Sequence, residues 1–159
     1  MKKNVLKTVI ILFVMIGLIS TSCKKEKDDT NTPTDTETPT YIVKITKDNN
    51  PEIVFTKGAA SVLGDKLIIG ANNSESNIEF SLNPAIAEGT YTDGFLISYG
   101  VNGVAEFTTV TNTNSASLTI TKHDKTTKHL TATFNVNYKD NENSAMNHTA
   151  TGSIDITYP

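Results

Sequence analysis

Apolar and polar residues alternate with a period of two along most of the chain after residue 40. This period is typical of β-strands with one buried and one solvated face, and no long stretch of the region has the helical period. The candidate strands are residues 41–47, 52–57, 60–63, 66–70, 77–82, 89–92, 95–99, 105–110, 115–122, 128–139 and 150–158.

Turn-forming residues separate these strands. Asn, Asp and Gly tolerate positive φ and bond their own backbone, which suits hairpins. They fill the segments 48–51, 64–65, 72–74, 102–103 and 140–143. Ten or eleven short strands at this spacing indicate a sandwich or a barrel. We predict an all-β fold, an antiparallel meander that forms a β-sandwich or a closed, calyx-like barrel.

The clearest strand pattern lies between residues 128 and 139. Polar residues, His129 and Asn137 among them, alternate here with apolar ones, so one face is predicted to be buried and the other wet. The predicted buried set is Leu130, Ala132, Phe134, Val136 and Tyr138.

The first 22 residues have a different composition. A basic segment with Lys2, Lys3 and Lys7 precedes an apolar run of 11 residues, 9–19. Crossing a bilayer takes about 20 apolar residues, so this run is too short for a permanent anchor and fits the apolar region of a signal peptide. We predict that residues 1–22 are a cleaved signal peptide.

Cys23 is the only cysteine of the chain and follows the small polar stretch 20–22. The string LISTSCKK resembles the relaxed lipobox of lipoproteins of the Bacteroidota, with Ser20 at the position where leucine is usual. The resemblance implies that cleavage precedes Cys23 and that Cys23 is the lipid attachment site, with two or more acyl chains that anchor the protein stably. The alternative is a buried or disulfide-bonded cysteine, but the chain contains no second cysteine that could form a disulfide with it.

Residues 23–40 are predicted to form the lipidated cysteine and a disordered polar tether, because 24–40 contain almost nothing apolar. Within the tether, Lys27, Asp28 and Asp29 resemble the lysine-plus-acids export signal of some lipoproteins of that phylum. The resemblance implies a lipid-anchored outer-membrane protein that is exposed on the cell surface. A charge run that merely solvates the tether is the alternative.

Residues 41–159 are predicted to form a single all-β domain. The strings SLTITKHDKTTKHLTATFNVNY and TGSIDITY resemble the ending of small lipoproteins of the same phylum that carry an uncharacterised β-domain. The AEGTY string at 87–91 is similar to another of their turns, whereas Ala132 stands where that family tends to have glycine. The resemblance implies a fold and a location but no activity.

Charge excludes some classes of partner. The 14 positive charges are all lysines against 17 acids, for a net charge of −3. Removing the three lysines of the signal peptide leaves 11 lysines against 17 acids, or −6 for the mature chain, residues 23–159. This sign opposes nucleic-acid binding. The absence of arginine also disfavours an anionic ligand, since arginine provides the bidentate grip on carboxylate and phosphate.

Candidate catalytic and metal-binding residues are few. His123, His129 and His148 lack the spacing of a metal site. His123 and Asp124 could belong to a catalytic triad, but the chain has no nucleophile elbow, and a hairpin turn capped by Asp124 is favoured. The segment 140–143 offers oxygen ligands for Ca²⁺ without the glycine and terminal glutamate of an EF-hand. We predict no catalytic residue, no cofactor and no metal.

Four tyrosines could stack sugars at an exposed face. They alternate in phase with core residues, which favours packing in the core or at its rim. The four are Tyr91, Tyr99, Tyr138 and Tyr158.

The function expected from these features is an envelope-anchored, non-enzymatic binding or accessory module. Its partner would be a glycan, a peptide or a protein, recognised through loops or a β-edge. One alternative is a calyx-type carrier of a small apolar ligand, which requires a hollow interior. Another is a hydrolase with an unrecognised site.

Overall fold

Strands and turns make up the part of the chain that the computed structural model describes, which is residues 40–110, 113–139 and 145–159. These residues belong to one compact unit, Thr36–Pro159. Within the described ranges, no helix is long and apolar enough to cross a membrane. The strands are β1 (Tyr41–Lys47), β2 (Ile53–Phe55), β3 (Gly58–Leu63), β4 (Lys66–Asn72), β5 (Ser76–Leu82), β6 (Gly89–Tyr91), β7 (Phe95–Val101), β8 (Val104–Thr108), β9 (Thr113–Asp124), β10 (His129–Lys139) and β11 (Asn147–Thr157).

The strands form two antiparallel sheets. The six-stranded sheet has the order β2-β1-β11-β10-β9-β6, and the five-stranded sheet has the order β3-β4-β5-β7-β8. Six of the ten consecutive pairs of described strands are neighbours in a sheet, whereas β6 pairs with β9 and β1 pairs with β11. The all-β prediction is confirmed, and the two sheets, which are not closed into a barrel, fit a sandwich-like fold.

Aromatic rings from the two sheets meet in the interior. The ring centroids of Phe80 in β5 and Phe134 in β10 are 5.3 Å apart, edge to face. Those of Phe107 in β8 and Tyr138 in β10 are 4.7 Å apart. All four side chains are at most 4% exposed. The apolar alternation predicted along β10 is therefore confirmed as the core-facing side of that strand.

Strand β1 runs across the facing sheet. Its first residue, Tyr41, donates its hydroxyl to the carbonyl oxygens of Gly70 in β4 and Ala59 in β3, at 2.5 and 3.2 Å. Its last residue, Lys47, bonds to Glu106 in β8 at 2.7 Å. Since β3 and β8 are the opposite edges of the five-stranded sheet, the strands of the two sheets cross at a large angle.

Some strand ends differ from the prediction. β9 and β11 begin at Thr113 and Asn147, earlier than the predicted 115 and 150, and the predicted strand 52–57 shortens to the three residues of β2. Alternation signals a strand only where one face is buried. The polar ends of a long hairpin continue to pair through backbone hydrogen bonds without burying side chains.

The stability of the folded state is expected to depend on pH through the phenol of Tyr41. Burial raises the pKa of its phenol to about 12, above the value of about 10 in an unfolded chain. The neutral form is therefore favoured by folding, so its contribution is complete below about pH 10 and is lost as the pH rises toward about 12.

We expect the free energy of unfolding to fall between about pH 10 and about pH 12, and to fall less in Tyr41→Phe, which has no phenol to ionise. Urea unfolding of residues 23–159 with Cys23→Ser, which removes the predicted lipid-attachment site, measures the free energy of unfolding with and without Tyr41→Phe at each pH. Equal losses in the two proteins would show that Tyr41 does not carry the effect.

Candidate functional site

The predicted lipid-attachment residue Cys23 and the export-signal residues Lys27, Asp28 and Asp29 lie outside the described residues. The segment 140–143, considered for Ca²⁺, lies outside them as well. The remaining candidate residues can be located in the fold.

His123 and Asp124 do not form a catalytic pair. Nδ1 of His123 is 2.7 Å from the carbonyl oxygen of Ile86, and Nε2 is 2.7 Å from the hydroxyl of Tyr158. The Asp124 carboxylate accepts the backbone N–H groups of Thr126 and Thr127 at 2.8 and 3.0 Å. Bonds from Thr127, and then from Thr126, lower the pKa of Asp124. Asp124 is the cap of a hairpin turn, as the sequence indicates.

The other two histidines lie at opposite ends of the β10–β11 pair. His129 Nε2 is 2.7 Å from Oδ1 of Asp155, while His148 Nδ1 is 2.7 Å from Oδ2 of Asp48. Among the described residues, no group of three or more His, Cys, Asp and Glu could hold a metal ion.

Charged groups at the end of β1 bond to one another. Lys47 is paired with Glu106, and the carboxylate of Asp48 accepts the N–H of Thr149 at 2.8 Å in addition to its bond with His148. Burial tends to raise the pKa of Asp48, but the bonds from Thr149 and His148 and the nearby positive charge lower it overall. These pairs join β1 to β8 and β11, which is a structural role.

Three of the four tyrosines lie in the core. Tyr99, Tyr138 and Tyr158 are 3%, 1% and 7% exposed. Tyr91 is half-buried and donates its hydroxyl to the carbonyl oxygen of Ala87 at 3.0 Å. None of the three buried rings is available to stack a sugar at the surface.

A shallow depression of about 320 Å³ lies beside the segment that follows β5. His123 and Lys125 hold this segment through the carbonyl oxygens of Ile86 and Ala85. The depression contains one carboxylate, and glycoside hydrolysis requires two. It is lined by Asn83, Ala85, Ile86, Tyr91, Asp93 and Gly94.

The outer face of β9, β10 and β11 is a broad polar surface. Between its ends lie twelve outward side chains, eleven of which end in a hydroxyl or an amide, and Lys122, His129 and Lys139 lie at its margins. We call this surface the hydroxyl face. Its members are Ser115, Ser117, Thr119, Thr121, Thr131, Thr133, Asn135, Asn137, Thr149, Thr151, Ser153 and Asp155.

Hydrogen bonds between side chains are found toward the β9 side of the hydroxyl face. The hydroxyls of Thr121 and Thr131 are 2.9 Å apart, and Asn137 donates to the hydroxyl of Ser115 at 2.8 Å.

Five neighbouring side chains in the middle of the face have no side-chain hydrogen bond to any residue of the described ranges. The ladder places Asn135 between Ser117 and Thr151, and places Thr133 opposite Ser153. The centre of the face therefore has donors and acceptors free for a ligand.

Charge is confined to the margins of the hydroxyl face, where Lys122 lies opposite Thr131 and Lys44 of β1 lies opposite Ser153. Residues 41–159 contain 8 lysines and 12 acids, yet Asp155 is the single charged residue among the twelve positions, and it is paired with His129. A face that serves only solubility commonly carries lysine and glutamate, whereas the centre of a binding surface is depleted of charge. The alternation in the sequence predicts which residues of β10 face solvent. That they form one surface with residues of β9 and β11 follows only from the pairing register of the three strands.

A scan against protein-family models finds no match to this chain, and a search of curated proteins finds none.

Proposed function

We propose that this chain is a non-enzymatic binding module of the cell envelope, and that its hydroxyl face binds a neutral glycan. The observation that carries the proposal is the uncharged centre of that face, Ser117, Thr133, Asn135, Thr151 and Ser153, whose hydrogen-bonding groups are unused within the described chain.

The chemistry of these side chains matches that of a sugar. Hydroxyl and amide groups both donate and accept hydrogen bonds, as the hydroxyls of a glycan do. Threonine and serine lose little rotamer entropy on binding compared with lysine or glutamate. The face has no lysine or arginine among its twelve members, and Lys44, which lies opposite Ser153 in β1, is paired with Glu52, which favours a neutral ligand.

Attachment to the membrane is part of this proposal. The mature chain would be anchored by lipid on Cys23, as a member of the Bacteroidota lipoproteins that its lipobox resembles, with residues 23–40 as a tether and the sandwich on the outer surface of the outer membrane. Many copies on one surface would raise the avidity of a weak glycan contact. Protease added to intact cells should degrade the domain; resistance while the outer membrane is intact contradicts surface exposure.

The calyx-type carrier remains the second candidate fold and function, and it needs an interior cavity. The contacts of Phe80 with Phe134 and of Phe107 with Tyr138 occupy the space between the sheets, which favours the sandwich. An enzymatic function has less support, because the depression beside Asp93 contains one carboxylate.

Binding to a panel of immobilised neutral glucans, mannans and galactans tests the proposal. We expect the mature chain with Cys23→Ser to bind at least one, with an affinity that changes little with salt because no charges are paired. Ser117→Lys places a long charged side chain at the centre of the hydroxyl face and should weaken binding by about tenfold or more, since it leaves sugar hydroxyls unpaired.

The matched control is Ser81→Lys, at an outward and half-buried position of β5 on the other sheet. It should bind as the parent does. Equal affinities of the two variants, or no binding to any glycan of the panel, would contradict the proposal.

A further inference from the structure

β3 is an edge strand that lacks the usual protection of an edge. It pairs with β4 on one side, and no other described strand pairs with it. Its sequence GAASVL has no charge and no proline, and five of its six residues are exposed. Natural proteins usually protect such edges with lysine, proline or a bulge, because an open edge is a template for another strand.

The hairpin turn fixes which backbone groups of β3 face outward. A two-residue turn, Gly64–Asp65, joins Leu63 to its partner Lys66, and Gly64 has a φ of 61°, as the first position of a type II′ turn requires. The residues that flank such a turn form a hydrogen-bonded pair, and the bonded pairs then alternate. Ser61 and Ala59 accordingly bond to β4, and Gly58, Ala60 and Val62 direct their N–H and C=O groups to the open side.

Two apolar side chains accompany these groups. Val62 is 47% exposed and Leu63 is 73% exposed. Because successive residues of a strand point to opposite faces, the exposed apolar surface lies on both faces of the edge. A strand added alongside β3 would cover both.

We propose that the occupant of this edge is β3 of a second copy, paired antiparallel about a two-fold axis at Ser61. In this register Ala60 lies opposite Val62 of the second copy, and both have outward backbone groups, so each such pair exchanges two hydrogen bonds. Ala59 lies opposite Leu63 of the second copy and covers it. The two five-stranded sheets join into one continuous sheet.

Two charged residues that flank β3 favour the register centred at Ser61 over its neighbours. Lys57 lies opposite Asp65 of the second copy, and the symmetry repeats the pair at the other end of the strand. Both residues are exposed, and neither forms an ion pair within the described residues. Shifting one strand by two residues keeps the backbone pattern but places Lys57 opposite an uncharged residue. The strand is thus complementary to itself, which a two-fold interface requires.

Sedimentation of the mature chain with Cys23→Ser, over a range of concentrations, tests the proposal. We expect a monomer–dimer equilibrium. Lys57→Glu or Asp65→Lys alone should raise the dissociation constant of the dimer by about tenfold, because each substitution places like charges opposite one another at both ends of the paired strands. The double variant Lys57→Glu with Asp65→Lys restores opposite charges and should restore the dimer.

Ala60→Pro provides the backbone test. It removes an outward N–H that β4 does not use, so the fold should persist while the dimer is lost; a far-ultraviolet circular dichroism spectrum checks the fold. A chain that stays monomeric at every concentration overturns the proposal, as does a dimer that is unchanged in Ala60→Pro or is not restored by the charge exchange. The hydroxyl face lies on the other sheet, so glycan binding is a separate result.

Discussion

Replacing Phe134 by alanine is expected to lower the free energy of unfolding by about 3–5 kcal/mol, the usual cost of removing a buried phenyl ring. The side chain is 4% exposed and meets Phe80 of the facing sheet edge to face. It also fills the space above Gly152, where the chain has no side chain of its own.

Urea unfolding of the mature chain measures the loss, and Phe134→Leu is the matched control because it keeps most of the volume, at a cost of about 1 kcal/mol. A loss below about 1 kcal/mol for Phe134→Ala would mean that the ring is not tightly packed. That result would favour the hollow interior of a calyx over the filled one of a sandwich.

Gly152→Ala is expected to lower the free energy of unfolding by about 2 kcal/mol or more. A Cβ atom at this position would overlap the backbone carbonyl oxygen of Lys44 and would lie 2.5 Å from the ring of Phe134. The carbonyl belongs to β1, which is paired with β11 at this point, so it can move only if the ladder moves.

Gly70→Ala is the matched control, since Gly70 also lies inside a strand but has no atom within 4 Å of the position of a Cβ. We expect this variant to be unchanged or more stable by up to about 1 kcal/mol, through the reduced entropy of the unfolded chain. Similar effects of the two substitutions would show that the close approach at Gly152 does not limit the fold.

The sequence predicts the strands whose faces differ in polarity. Along β10, every second residue from Leu130 to Tyr138 is buried, as the alternation indicates. The pattern does not show which strands are edges, because that depends on pairing between distant segments. β3 contains the predicted strand 60–63, and nothing in GAASVL says that one side of it is open.

For the same reason, the local alternation of apolar and polar residues does not predict contacts between residues that are distant in sequence. Asp48 and His148 are 100 residues apart in sequence and bond at 2.7 Å. Both are polar residues near turns, with no periodicity that would join them. The hydroxyl face is an intermediate case: alternation identifies its outward residues strand by strand, and the register then brings Ser117, Asn135 and Thr151 into one row.

The two proposed surfaces are compatible. The hydroxyl face lies on the six-stranded sheet, and β3 is an edge of the five-stranded sheet. A dimer through β3 therefore leaves both hydroxyl faces uncovered and doubles the number of glycan contacts per particle, which raises avidity where the ligand is repetitive.

The hydroxyl face is the proposed binding surface, and the backbone amide chemical shifts of the protein show which residues a bound ligand contacts. A neutral oligosaccharide of the bound class would be titrated into the ¹⁵N-labelled mature chain with Cys23→Ser. We predict that the largest shift changes fall on the central parts of β9, β10 and β11, around Ser117, Asn135 and Thr151. Changes confined to the depression beside Tyr91 and Asp93, or to the turns at the strand ends, would show that the ligand binds elsewhere than on the hydroxyl face.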